Sequence, residues 1–225
     1  MIKRLTVIGL VLFLSASLAM AQTAEKGKMS FGILGGVNFQ TLTGTDHSGG
    51  DLDNDMLIAY HAGINIQVPI APEFYFQPGL LYSLKGAKNT SGSVTSSTKV
   101  SYIELPLNFV YKGRLGNGFF MLGLGPYLSY GIGGKVTTTG GDASLDTDVE
   151  FQNSVALTDP LTTTYFTPFD AGGNIFAGYE TGGGLFIQLN TQLGMMEVNP
   201  ENAWFENDEA SIKHVGYGLS LGYRF

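Results

Sequence analysis

SYIELPLNFVYKG, residues 101–113, alternates between two kinds of side chain. Ile103, Leu105, Leu107, Phe109 and Tyr111 share one parity and are apolar. Tyr102, Glu104, Pro106, Asn108, Val110 and Lys112 share the other and are mostly polar. Period two marks a strand whose two faces meet different environments. Glutamate is costly in an apolar core, and proline withdraws a ladder hydrogen bond. A strand that carries both at mid-length needs polar partners or water on that side.

Seven more segments repeat the pattern. Residues 30–40 align Phe31, Ile33, Val37 and Phe39; residues 58–68 align Ile58, Tyr60, Ile64, Ile66 and Val68. Residues 74–85, 119–132, 169–180, 185–194 and 213–225 continue it, ending on Leu219, Leu221, Tyr223 and Phe225. The opposite parity is small or polar: Asn38, Asn65, Asn108, Asn174, Asn190, Gln67, Gln77, Gln188, Glu104, Arg224 and many glycines. Short turns, "PIAPE", "GRLGNG" and "TGGG", alternate with long polar connections at 41–57, 86–98, 135–168 and 195–212. This is the pattern of an all-β, eight-stranded antiparallel up-and-down transmembrane β-barrel, apolar outside and polar inside, with both termini beside the short turns in the periplasm. A soluble barrel with the apolar face inside would carry more charge on its wet face. Aromatics near strand ends, such as Phe74, Phe76, Tyr111, Phe120, Tyr179 and Tyr223, suit interfacial girdles instead.

The chain has 225 residues and no cysteine, so it has neither a disulfide framework nor thiol chemistry. Its start reads as a secretory signal: Lys3 and Arg4, an apolar run from Leu5 to Leu14, then Ala19-Met20-Ala21 at a cleavage site. The expected division is a signal over residues 1–21 and a barrel domain over 22–225. An uncleaved anchor is the opposing reading, against which the run is short. Without Lys3 and Arg4 the formal charge of −7 becomes −9, which argues against nucleic acid as a partner. No later segment is apolar for long enough to span as a helix.

The final GYGLSLGYRF looks like the C-terminal signal read by the barrel-assembly machinery of Gram-negative bacteria, with Tyr223 and Phe225 as its aromatic positions. FGILGGVNF, FQPGLLYSLKGAK, YIELPLNF and AGYETGGGLFIQLNTQLGM resemble the PorT-like outer-membrane β-barrel family of Bacteroidota. The pair PGLLYSLKG and YIELPL is the most specific part. The long connection 135–168 departs from the family's pattern. The resemblance implies the fold and an outer-membrane location, in outer-membrane lipid; the acids of the long loops read as a solvated anionic surface, the alternative being weak divalent-cation binding that bridges them to lipopolysaccharide or an envelope protein partner.

Within an eight-stranded barrel the lumen only just holds side chains. Glu104, Asn108, Lys85, Arg224, Asn38 and Asn65 are the expected lumen polar network, with Lys85 or, further off, Arg224 neutralising Glu104. Pro78, Pro106 and Pro126 fall at similar depth on adjacent strands and predict a locally kinked seam. His61 and His214 have lumen parity near the loop-side mouth and read as satisfied polar groups, with a metal site or catalytic dyad as the lesser alternative; His47 reads as solvated surface. Asp51, Asp53 and Asp55 alternate, but Met56 and Ala62 stand where a calcium-binding loop needs glycine and glutamate. NTSGSVTSST reads as a flexible polar loop. No catalytic, cofactor or metal motif is present. Two function classes stay open: a barrel without open pore or catalysis in a structural, surface-contact or secretion-associated role, and an outer-membrane enzyme acting on lipid or peptide at the loop-side rim. A diffusion pore is disfavoured by strand number.

Overall fold

A computed structural model describes residues 28–225. The expected signal, residues 1–21, lies outside the described residues. The strands are β1 (Ser30–Thr45), β2 (Leu57–Ala71), β3 (Phe74–Ser91), β4 (Val94–Leu115), β5 (Gly118–Gly140), β6 (Ala143–Phe151), β7 (Ser154–Val155), β8 (Thr164–Phe166), β9 (Phe169–Thr181), β10 (Leu185–Gly194), β11 (Glu201–Asn202) and β12 (Ser211–Arg224). No helix in the described residues is long and apolar enough to cross a membrane.

Eight strands close a ring in the order β1-β2-β3-β4-β5-β9-β10-β12, every neighbour antiparallel. The closing seam pairs Gly32 with Arg224 and runs to Thr45 with Ser211. Closure satisfies the edge strands, which is what permits strands in lipid. The outward face is apolar: Ile58, Leu124 and Leu189 are 69, 62 and 65 % exposed. So continuous an apolar surface belongs against hydrocarbon. Aromatic pairs bound it. Phe74 meets Tyr111 on the turn side, and Tyr130 meets Phe169 on the loop side. Eight residues of β4 separate these levels, about 27 Å along a strand and about 20 Å once the strand is tilted by roughly 40°.

Three ladder gaps line up across β2 to β5. Pairing lapses between Asn65–Gly79 and Val68–Phe76, between Pro78–Leu107 and Leu81–Glu104, and between Pro106–Tyr127 and Phe109–Leu124. Pro78, Pro106 and Pro126 border these gaps because none can donate. Pro106 points inward and lies over Gly79, where an added Cβ would meet Pro106 Cγ at 3.1 Å.

The stretch expected to be a flexible polar loop is instead a β-hairpin. Beyond the barrel, β3 and β4 pair from Gly86–Lys99 to Ser91–Val94 around a two-residue turn at Gly92-Ser93, with Gly92 at φ 59°. Threonine and valine favour extended backbone, and the glycine supplies the left-handed turn residue. The upper parts of β5 and β6 add to this apron. The long connection after β5 is likewise ordered: β6 pairs with β8, and β7 with β11, each in parallel.

Candidate functional site: the barrel lumen

The inward face is packed with polar side chains in two charged clusters. Neighbouring strands set one directly opposite row: Glu104 of β4 faces Ser129 of β5, which faces Asp170 of β9. Lys85 of β3 reaches into this row. Its Nζ lies 2.9 Å from Glu104 Oε2 and 3.0 Å from Asp170 Oδ2. The ammonium also lies 4.1 Å from the centre of the Tyr127 ring, a cation–π contact. Gln192 Nε2 donates to Glu104 Oε1 at 2.6 Å, and Ser129 Oγ to Glu104 Oε2 at 3.3 Å. Lys85 and Glu104 are wholly buried. One cation thus serves two carboxylates.

The second cluster, toward the short turns, has the reverse arithmetic. Glu180 accepts from Lys112 Nζ at 2.6 Å and from Arg224 Nε at 2.9 Å. Arg224 also donates to Asn65 Oδ1 at 2.9 Å and Gln77 Oε1 at 3.4 Å. Phe119 and Phe186 flank the two cations. Between the clusters lie amides. Asn174 Nδ2 donates to Asn108 Oδ1 at 3.0 Å, and His61 bridges Asn38 Oδ1 and Ser220 Oγ, each at 2.8 Å. An internal chamber of about 40 Å³ remains, lined by Asn108, Asn174, Gln188, Asn190 and Glu104. That is room for roughly two or three waters.

Apolar layers pack against both clusters. Leu42, Val100, Tyr102, Val149, Phe166 and Val198 pack under the loops, and Val110, Met121, Phe176 and Phe186 toward the turns. Glycine makes the second layer possible. A Cβ at Gly123 would fall 2.1 Å from the Phe176 ring, and one at Gly222 2.2 Å from Phe186. The inward parity is therefore not uniformly small or polar.

The structure thus divides the expected network. Lys85 and Glu104 share the loop-side cluster. Arg224 belongs with Asn65 in the other and pairs with Glu180, so it is no counter-charge for Glu104. Asn108 and Asn38 lie between. Asp170, Glu180, Lys112, Ser129, Tyr127 and Gln192 complete the clusters and were not among the expected network. Their signal was parity: Asp170 and Glu180 stand opposite in phase to Phe169, Ile175 and Tyr179 in one strand. His214 departs from the expectation of a satisfied group. Its Nδ1 is 3.4 Å from Asp170 Oδ2, and neither ring nitrogen has a hydrogen bond of good geometry. It stands edge-on to Tyr102 and stacks with Phe166. His47 is not a freely solvated side chain either; it stacks on Phe205 at 3.9 Å and bonds Asp208 at 2.8 Å. Among the described residues no three His, Cys, Asp or Glu side chains are grouped to hold a metal. Tyr223 and Phe225 lie on the outer face, ring edge to ring face, and Phe225 N donates to Phe31 O at 2.8 Å.

A family model described as outer membrane protein beta-barrel domain matches residues 20–198. No curated protein matches the chain in sequence. Among solved structures, Ail, the attachment invasion locus protein of Yersinia pestis, superposes with a TM-score of 0.40 at 11% identity, over 88% of this chain and 100% of its own. Neisserial surface protein A (NspA) gives 0.41 at 12%, over 88% of this chain and 98% of its own.

Proposed function

Since the chain belongs to the outer membrane protein beta-barrel domain family, we propose that it is a closed, non-catalytic outer-membrane barrel that acts through contacts made by its long loops. One observation carries the reading: the lumen is filled by paired charges and amides around a chamber of about 40 Å³. A solute path would have to break the Lys85 and Glu180 clusters, each desolvated and costly to open. Within the family we place it in the PorT-like group, on PGLLYSLKG and YIELPL, with a structural, surface-contact or secretion-associated role in the envelope. Barrel-assembly machinery would insert it, with both termini periplasmic. Planar-bilayer recording on pure protein tests the closed lumen. No stable large conductance is expected; a steady, porin-sized step overturns the reading.

A further inference from the structure

An apolar cavity of about 350 Å³ opens within the loop crown, apart from the lumen. Leu42, Val155, Leu161, Phe166, Phe205 and Ile212 supply its apolar wall. It is a built feature, not a gap between loose loops. The parallel pairing of β7 with β11 ties the two longest connections together beside it, with Ala203 N bonded to Val155 O at 3.0 Å. Thr167 N bonds Val198 O and Val198 N bonds Ile212 O, each at 2.8 Å, beneath it. Its size is that of a small-ligand or side-chain pocket.

The surroundings state what it would accept. A groove of about 510 Å³ shares Val155, Asn199, Asn202 and Phe205 with the cavity and carries Glu197, Glu201, Glu206 and Asp208. The crown as a whole is strongly anionic: residues 41–57, 86–100, 133–168 and 195–213 hold fourteen carboxylates against four lysines, a net −10. An anionic rim repels acidic partners and gives a neutral apolar ligand no advantage, whereas it steers cations toward the pocket. Leu161 and Phe205, 65 and 40 % exposed at the cavity, offer an anchor.

We infer that the crown docks a basic peptide segment, with one bulky apolar side chain in the Leu161–Phe205 cavity and lysine or arginine side chains along the Glu197–Asp208 groove. The inference rests on the surface-contact reading above and names the chemistry of the partner.

Trp204, the only tryptophan in the chain, lies next to Phe205 and is 40 % exposed. It serves as an intrinsic reporter. The barrel in nanodiscs of zwitterionic lipid is titrated with a tryptophan-free, lysine-rich peptide carrying phenylalanine, with the same peptide bearing glutamate for lysine, and with oligolysine of equal length. The first is expected to shift Trp204 emission saturably, at least tenfold more tightly than oligolysine, and to weaken at least tenfold at 0.5 M salt. The glutamate peptide is expected to leave emission unchanged. Glu197→Gln with Glu201→Gln and Glu206→Gln is expected to cut affinity at least tenfold. Leu161→Gln, at an exposed position, is expected to remove the advantage over oligolysine and keep the oligolysine response. No emission change, equal binding of oligolysine, or unchanged binding by the charge-neutralised protein overturns the inference. Salt titration of the unsubstituted barrel decides the charge dependence even if the triple variant misfolds. A conducting barrel that still binds the peptide would overturn the closed-lumen reading alone; a closed barrel that ignores it would overturn the docking inference alone.

Discussion

Charge arithmetic decides which lumen residues matter most. In the loop-side cluster Lys85 serves Glu104 and Asp170. Removing Glu104 leaves a neutral Lys85–Asp170 pair, whereas removing Lys85 leaves two buried carboxylates without a cation. Glu104→Gln is therefore expected to be tolerated, since its amide oxygen can take the Oε2 position facing Ser129 and Lys85 while its NH2 donates to a flipped Gln192 amide. Glu104→Leu strands those partners and is expected to cost about 1–3 kcal/mol. Lys85→Met is expected to cost the most, about 3–5 kcal/mol, as for a broken buried pair. In the second cluster the single acid holds two cations, so Glu180→Gln is expected to destabilise more than Lys112→Met. Thermal unfolding in detergent, followed by heat-modifiable gel mobility, ranks these variants. A Glu104→Leu barrel as weak as Lys85→Met would show that Asp170 does not hold Lys85.

Among the elements, β12 closes the ring, bonding β1 on one side and β10 on the other. Phe225, which follows it, adds one backbone bond, to Phe31, and an exposed ring at 71 %. So small a contribution to the folded barrel contrasts with the match of GYGLSLGYRF to an assembly signal. Deleting Phe225 is expected to lower the amount of barrel reaching the membrane severalfold and to shift the unfolding temperature of what does assemble very little. Fractionation and gel mobility of the two strains measure both. Unchanged membrane levels would leave Phe225 as an interfacial girdle residue and nothing more. The β3–β4 apron teaches a second lesson. Its Ser/Thr-rich tip reads as loop by composition, yet the pairing Thr90–Thr95 and Ser96–Thr138 continues the barrel ladder outward, because strand register propagates once the turn at Gly92 is set.

For the molecule as a whole, the absence of cysteine makes orientation directly measurable. Asp142 lies in the turn between β5 and β6 at the loop end, and Asn117 in the β4–β5 turn at the other end. With loops outward and termini periplasmic, Asp142→Cys is expected to react with a membrane-impermeant maleimide on intact cells, and Asn117→Cys only after lysis. The opposite labelling pattern would invert the barrel.

Period two, the alternation of short and long connections, and the terminal aromatic run already carried strand number, lipid-facing parity and the inward position of Glu104. These are local properties: a side chain's face depends only on its place along its own strand. The partners were another matter. Lys85 meets Asp170 across 85 residues, and Arg224 meets Asn65 across 159. Such pairs depend on closure, on the stagger between strands and on the register shift at Ser101/Tyr102, none of which is written into a single strand. The crown cavity has the same origin, because Val155 and Phe205 share one wall only after β7 has found β11.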